Sequence, residues 1–180
     1  MAKQQAAFQA LVELAHRSRR AAKGLPAQVD ITPHWSGVGF SLLGMHFVSP
    51  MGVVSEMLEV PPYTRLPGVQ PWVRGVANVR GRLLPLFDLA AFFGGRLQTH
   101  RKLRRVLILE AGGLYSGLIV DRVFGMQHFP VDTYTTDLSG INAELRSLVS
   151  GSYELDEQRW WVLNPATLAE NARFVNAAKL

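Results

Sequence analysis

The chain has 180 residues, 48% of them hydrophobic and 18% charged, with a formal net charge of +5 and no cysteine. That balance describes a folded protein able to bury a substantial core, as one domain or two fused subdomains, and it excludes disorder for most of the chain. Without cysteine, disulfides and thiolate metal sites are impossible, which fits a reducing cytoplasm.

Residues 3–23 place Phe8, Leu11, Val12 and Ala15 at helical spacing. Arg17, Arg19, Arg20 and Lys23 crowd the last turns, where they oppose the negative end of the helix dipole. Gly24, Leu25 and Pro26 end this helix. So short a helix needs a surface to lie on, its own barrel or a partner's, unless it is a loosely docked extension. The apolar residues precede the basic ones, the reverse of a secretory signal, so export is not expected. Residues 24–36, with Pro26, Pro33 and Ser36, read as a linker.

Strand patterns begin at residue 38, with residues 38–42, a Leu43-Gly44 turn and residues 45–48. The most organised stretch is 53–89. Val53, Val54, Met57, Leu58 and Val60 suit a strand buried on much of both faces, stopped by Pro61 and Pro62. Pro67, Gly68 and Pro71 fence a loop, and Trp72-Val73 after Pro71 is placed to start a single helical turn. Gly75-Val76-Ala77 and residues 83–87 then flank Asn78-Val79-Arg80-Gly81, whose Asn and Gly tolerate the positive φ of a hairpin turn. Arg80 and Arg82 are thereby lifted to the tip. Asp88 caps a short helix over residues 89–93, closed by Gly94-Gly95.

A second basic cluster, Arg96, Arg101, Lys102, Arg104 and Arg105, leads into a hairpin of residues 106–109 and 114–120 about Gly112-Gly113. Residues 124–129 form a short strand. Residues 131–146 are loop-like with a turn of helix after Asn142, and residues 148–149 and 160–163 are closing strands. Trp160 and Trp161 point to opposite faces of such a strand, one to the core and the other a candidate for exposure as an interface anchor. Asn164 and Pro165 start a helix through Leu168 and Ala169, after which the C-terminus frays. Many short strands between Gly and Pro, with helices only as connectors, indicate an all-β, barrel-type architecture.

Convergent catalytic groups are scarce. The five histidines form no H-x-x-x-H or H-E-x-x-H pair, no serine lies in G-x-S-x-G, and no glycine-rich phosphate loop occurs. His46, between Met45 and Phe47, reads as a strand residue. Glu56 and Glu59, three apart in a strand, fall on opposite faces and make a poor acid and base pair. Neither catalysis nor a cofactor is expected. The richest apolar run, residues 106–120, is broken by Glu110 and Gly112-Gly113, so no membrane span is expected. The basicity sits in the two clusters: setting those nine residues aside leaves ten Lys and Arg against fourteen Asp and Glu. Such patches attract any polyanion, including nucleic acid, anionic lipid and acidic protein faces.

The stretch 53–89 resembles the central motif of CheW-like domains, adaptors that couple chemoreceptors to a histidine kinase in bacterial chemosensory arrays. The matching residues are Val54-Ser55-Glu56-Met57, Arg65-Leu66-Pro67, Val73-Arg74-Gly75-Val76, Asn78-Val79-Arg80-Gly81 and Leu84-Pro85-Leu86-Phe87-Asp88-Leu89. The likeness continues through residues 106–109, 117–121 and 160–164. Within the family, the basic N-terminus is most similar to that of the adaptors of type IV pilus twitching-motility systems. The resemblance implies two small five-stranded β-barrel subdomains on a shared core, with an N-terminal helical extension. On that basis residues 1–35 are a basic helix and linker, 36–170 the CheW-like domain and 171–180 a tail.

The resemblance also implies partners: the cytoplasmic tip of a chemoreceptor and the regulatory domain of a CheA-type kinase, met barrel to barrel, in the cytoplasm at receptor arrays. Carried over to this sequence, the receptor face comprises Val54, Glu56, Met57, Gly75, Asn78 and Arg80. Read without it, Asn78 and Gly81 serve only to reverse the chain. The polar loop after Phe129 aligns with an array-closing contact, which nominates Leu138 and Ile141, although both residues can equally tuck back onto the barrel. The alternative function is a nucleic-acid-binding β-barrel using the two basic patches, but few aromatics are interleaved with either cluster for stacking.

Overall fold

The computed structural model describes residues 2–21, 33–111 and 113–178. Taken by itself, the first segment is one helix, α1 (Ala2–Ala21), with Arg19 and Arg20 in its last turn. Phe8, Leu11 and Leu14 are exposed along it. Lys23, the Gly24-Leu25-Pro26 stop and linker residues 24–32 lie outside the described residues. Among the described residues no helix is long and apolar enough to cross a membrane.

Residues 33–178 build two sheets. One contains β1 (His34–Leu42) and β2 (Met45–Pro50) with three later strands, β9 (Arg122–Pro130), β10 (Val149–Leu155) and β11 (Gln158–Leu163), in the order β10-β11-β2-β1-β9. The other contains β3 (Val54–Glu59), β4 (Tyr63–Thr64), β5 (Val73–Val79), β6 (Arg82–Asp88), β7 (Arg105–Ala111) and β8 (Leu114–Val120), in the order β3-β7-β8-β6-β5-β4. Its sixth strand, β4, is only two residues long. Pairing is antiparallel except between β11 and β2 and between β6 and β8. Three one-turn helices connect or close the sheets: α2 (Leu89–Phe92), α3 (Ala143–Arg146) and α4 (Ala172–Val175).

Strand periodicity assigns the cores. On β7, Leu107 and Leu109 face a main core that also takes Phe40 and Leu42 from β1, Phe47 from β2 and Trp161 and Leu163 from β11, so both sheets share it. Val106 and Ile108, the alternate residues of β7, face a second cluster with Ala77, Leu84, Leu86 and Ile119. A third cluster, Val48, Phe129, Tyr153, Trp160 and Val162, fills the other sheet. Each sheet therefore curls over a small core of its own and contributes to a common one. Each buried side chain of β7 contributes about 1.5–3 kcal/mol by leaving water.

The structure revises several expectations. The strand expected to be buried on both faces, β3, instead alternates half-buried and exposed residues. It is an edge strand: Met57 lies opposite Leu107, yet the core that covers Leu107 stops short of Met57. Trp72-Val73 starts no helix. The Val73 N–H closes a turn onto the Gln70 carbonyl (2.9 Å) and the Trp72 carbonyl accepts from the Asp88 N–H (2.7 Å), which commits the chain to the ladder with β6. Neither tryptophan is exposed, because β11 lies inside its sheet between β10 and β2: Trp161 enters the main core and Trp160 the third cluster.

The C-terminus does not fray after Ala169. A 3-10 turn (Pro165–Glu170) leads into α4, whose N-terminus is capped by the Asn171 side chain. Phe174 is buried there against Phe87 (4.7 Å between centroids) and Phe92 (5.2 Å).

Candidate partner-binding face

The β5–β6 hairpin closes on the Val79 and Arg82 pair, so its two central residues are Arg80 (φ 52°) and Gly81 (φ 80°). The sequence pattern pointed to Asn78 and Gly81 for positive φ; one of the two positions is corrected. Asn78 is extended, opposite Leu83, and its Oδ1 accepts from the Gly81 N–H at 2.9 Å. That bond braces a two-residue turn whose twist matches the strands. A left-handed backbone costs a non-glycine residue about 1–2 kcal/mol. Arg80 adopts it, and its guanidinium donates to Glu56 Oε1 on β3 at 2.7 Å.

This ion pair ties the hairpin tip to the edge strand. Beside it, Arg82 donates to Glu110 at 3.0 Å, and its guanidinium lies 3.9 Å from the centroid of the Tyr115 ring. The hydrogen bond to Glu110, with that carboxylate's charge, raises the Arg82 pKa above its ordinary value. Glu110 and Tyr115 are cross-strand neighbours on β7 and β8, so the second pair is anchored on the hairpin next to β3. The result is a shallow recess floored by Val79 and Ile108 and rimmed by two arginines and two glutamates. Met57 and Leu83 are also exposed, but they alternate with Glu56 and Arg82 along their strands and face away from this recess.

Of the residues nominated from the sequence, Glu56 and Arg80 meet directly and Asn78 sets the turn. Gly75 is buried with φ 139°, and a Cβ there would lie 2.0 Å from the Thr64 carbonyl oxygen, so it admits β4 and presents no surface. Val54 and Met57 lie on the other face of β3. A register shift between Val54 and Glu56 places Val54 opposite Leu109 and Met57 opposite Leu107, whereas Glu56 is opposite Ile108. Val54 packs against the main core.

Leu138 and Ile141 are anchored. Ile141 is buried in the main core and Leu138 packs partly against it, in a loop where Ser139 donates to Asp137 through its N–H (2.9 Å) and its hydroxyl (2.5 Å). Those two bonds hold the Asp137 carboxyl below its ordinary range.

Sequence reasoning missed Glu110 and Tyr115 as members of the face. No local signal marks them, since they reach the recess only through the pairing of β7 with β3 and β8. Among the described residues no three His, Asp or Glu side chains gather as a metal site.

Two curled sheets with few helices are the fold of a CheW-like domain. The family model of that description matches residues 36–173, and the chain belongs to the CheW-like family. Protein PilI of Pseudomonas aeruginosa is 51% identical over 174 residues, 97% of each chain. Chemotaxis protein CheW of Helicobacter pylori is 28% identical over 113 residues, covering 63% of this chain and 68% of the relative. In fold, the crystal structure of the scaffolding protein TtCheW from Thermoanaerobacter tengcongensis superposes with a TM-score of 0.67 at 24% identity, over 78% of this chain and 96% of that one.

Proposed function

We propose that the chain is a non-enzymatic adaptor that couples the cytoplasmic tip of a chemoreceptor to the regulatory domain of a CheA-type kinase. Its place is the cytoplasm, at receptor arrays of the pathway that controls type IV pilus twitching motility. Identity to PilI along nearly the whole chain supports the pathway. The observation that carries the receptor face is the Arg80–Glu56 pair: the guanidinium is largely exposed and the carboxylate only about one-third exposed, on an edge strand whose other face exposes Met57. A guanidinium with donors left over recognises carboxylates and carbonyls on a receptor helix hairpin, while the neighbouring apolar side chains supply packing.

In this reading the adaptor domain, residues 36–170 by the sequence, also takes in the start of β1 at His34 and the docked α4, and the residues before it are an accessory basic arm. The loop at Leu138 supplies a weaker array contact through Leu138 and Ser139-Gly140, with Ile141 as its anchor in the core. The test is a titration of the chain with a chemoreceptor cytoplasmic fragment and, separately, with the kinase regulatory domain. Both should bind, and Arg80→Glu should abolish the first interaction while sparing the second. Receptor affinity unchanged in a folded Arg80→Glu variant would remove Arg80 from the face, and binding of neither partner would remove the adaptor reading.

A further inference from the structure

The second basic cluster has no part in the face just described, and the fold gathers it with two arginines that lie far away in sequence. Arg65 follows β4, Arg74 is in β5, and Arg101 and Arg104 belong to the turn that leads into β7. All four line one recess of about 100 Å³. The acid in its lining is Asp88, whose Oδ1 is occupied by the Ala91 N–H at the start of α2. Four positive charges thus face one carboxylate. Among the described residues no ion pair includes any of these four arginines, and only Arg104 donates a hydrogen bond.

The surroundings hold the cluster in place. Asp121 is buried, and its Oδ1 accepts the N–H groups of Gln98 (2.6 Å) and Thr99 (2.9 Å), which fixes the loop before the turn. Arg104 is clamped onto that loop through its Nε to the Thr99 carbonyl at 3.1 Å. On the other side, glycine at position 75 lets the backbone of Arg65 approach: a Cβ would lie 3.1 Å from the Arg65 Cα. Guanidiniums that outnumber the carboxylates beside them repel one another and draw in an anion. Their planar forks match the oxygens of a phosphate.

Size narrows the anion. A phosphoryl-sized group fits within the roughly 100 Å³ of the recess. Past Arg101 and Arg104 lies a second recess of about 380 Å³, lined also by His100, Lys102 and Glu59, whose carboxylate pairs with Arg105 at 3.6 Å, with space for the remainder of an ester. Tyr63, the aromatic in the lining, is half-buried and packs against the second cluster, so no aromatic platform is offered to a strand of nucleic acid.

We infer that this recess binds the phosphate group of a small phosphate ester, with Arg65, Arg74, Arg101 and Arg104 as its ligands. The experiment is calorimetric titration of the full chain with pyrophosphate at constant ionic strength. One saturable site is expected, with affinity falling at least tenfold in Arg65→Gln and in Arg101→Gln and unchanged in Arg146→Gln, an exposed arginine on α3. A second measurement needs no variant: pyrophosphate should protect Arg65 and Arg101, but not Arg146, from modification by phenylglyoxal.

Vesicles of phosphatidylcholine with and without phosphatidylglycerol identify the source of the phosphate. Retention on the anionic vesicles that pyrophosphate displaces assigns it to a lipid headgroup; pyrophosphate binding without retention assigns it to a soluble ester. Absence of saturable binding at millimolar pyrophosphate overturns the inference, as does an equal loss in Arg146→Gln or equal protection of all three arginines.

Discussion

Arg80→Gly separates the two roles of the hairpin arginine. At φ 52°, Arg80 carries a left-handed backbone cost of about 1–2 kcal/mol that glycine does not. Against this, glycine loses more chain entropy on folding, roughly 0.5–1 kcal/mol, and forfeits an exposed ion pair worth about 0.2–1 kcal/mol. The terms cancel to within about 1 kcal/mol, and for a domain of this size that moves the melting temperature by only about 2–4 °C. Receptor binding has no such compensation. An arginine at the centre of an interface contributes about 2 kcal/mol or more, roughly a thirtyfold change in Kd.

The assay pairs thermal unfolding with titration against a chemoreceptor cytoplasmic fragment, and adds Arg80→Ala, which keeps the backbone strain. Both variants should lose receptor affinity to a similar degree, and the alanine variant should be the less stable of the two. A glycine variant destabilised by more than about 2 kcal/mol, beyond the range of these terms, or one that retains full affinity, would refute the reasoning.

Gly75→Ala should be severe, because the new Cβ would meet the Thr64 carbonyl oxygen at 2.0 Å in a backbone conformation that alanine rarely adopts; a loss of at least about 2 kcal/mol is expected in urea unfolding. Leu138→Ser should leave binary kinase affinity intact and weaken co-sedimentation of receptor and kinase arrays; undiminished assembly would exclude this loop from the contact. Burial raises the Tyr153 pKa above its ordinary value of 10.0, with Tyr134 adding to the effect. The unfolded chain therefore releases that proton first as pH rises, so stability is intact below about pH 10 and declines above it. Tyr153→Phe removes this component, and its melting temperature should fall less between about pH 9 and 11 than that of the parent.

The β5–β6 hairpin shows how far local chemistry reaches. Asn78, Arg80 and Gly81 announced a turn, but which residues took positive φ depended on where the ladder closed, and that register is set by Leu84 and Leu86 seeking the core. Asp88 was legible as a helix cap because capping acts within three residues, and its side chain accepts the Ala91 N–H.

Burial was harder to read. The composition of β3 suggested two covered faces, yet its position at the sheet edge decides that Met57 stays exposed, and strand order is a long-range property. Phe174 looked like part of a fraying tail until the aromatic surface of Phe87 and Phe92 was there to receive it. The candidate site divides along the same line. Glu56 and Arg80 are 24 residues apart; family likeness put them on one face but did not give their ion pair, and Glu110 joins the face only through the pairing of β7 with β3 and β8.

The central claim, that the Arg80 hairpin and the adjoining edge strand meet a chemoreceptor tip, is tested most directly by hydrogen exchange of the full chain with and without the receptor cytoplasmic fragment. Slowed exchange in β3 and at the β5–β6 turn, lost in Arg80→Glu, is the result predicted; protection confined to α1 or to the Arg65 and Arg101 recess, with β3 and the turn unchanged, would contradict it.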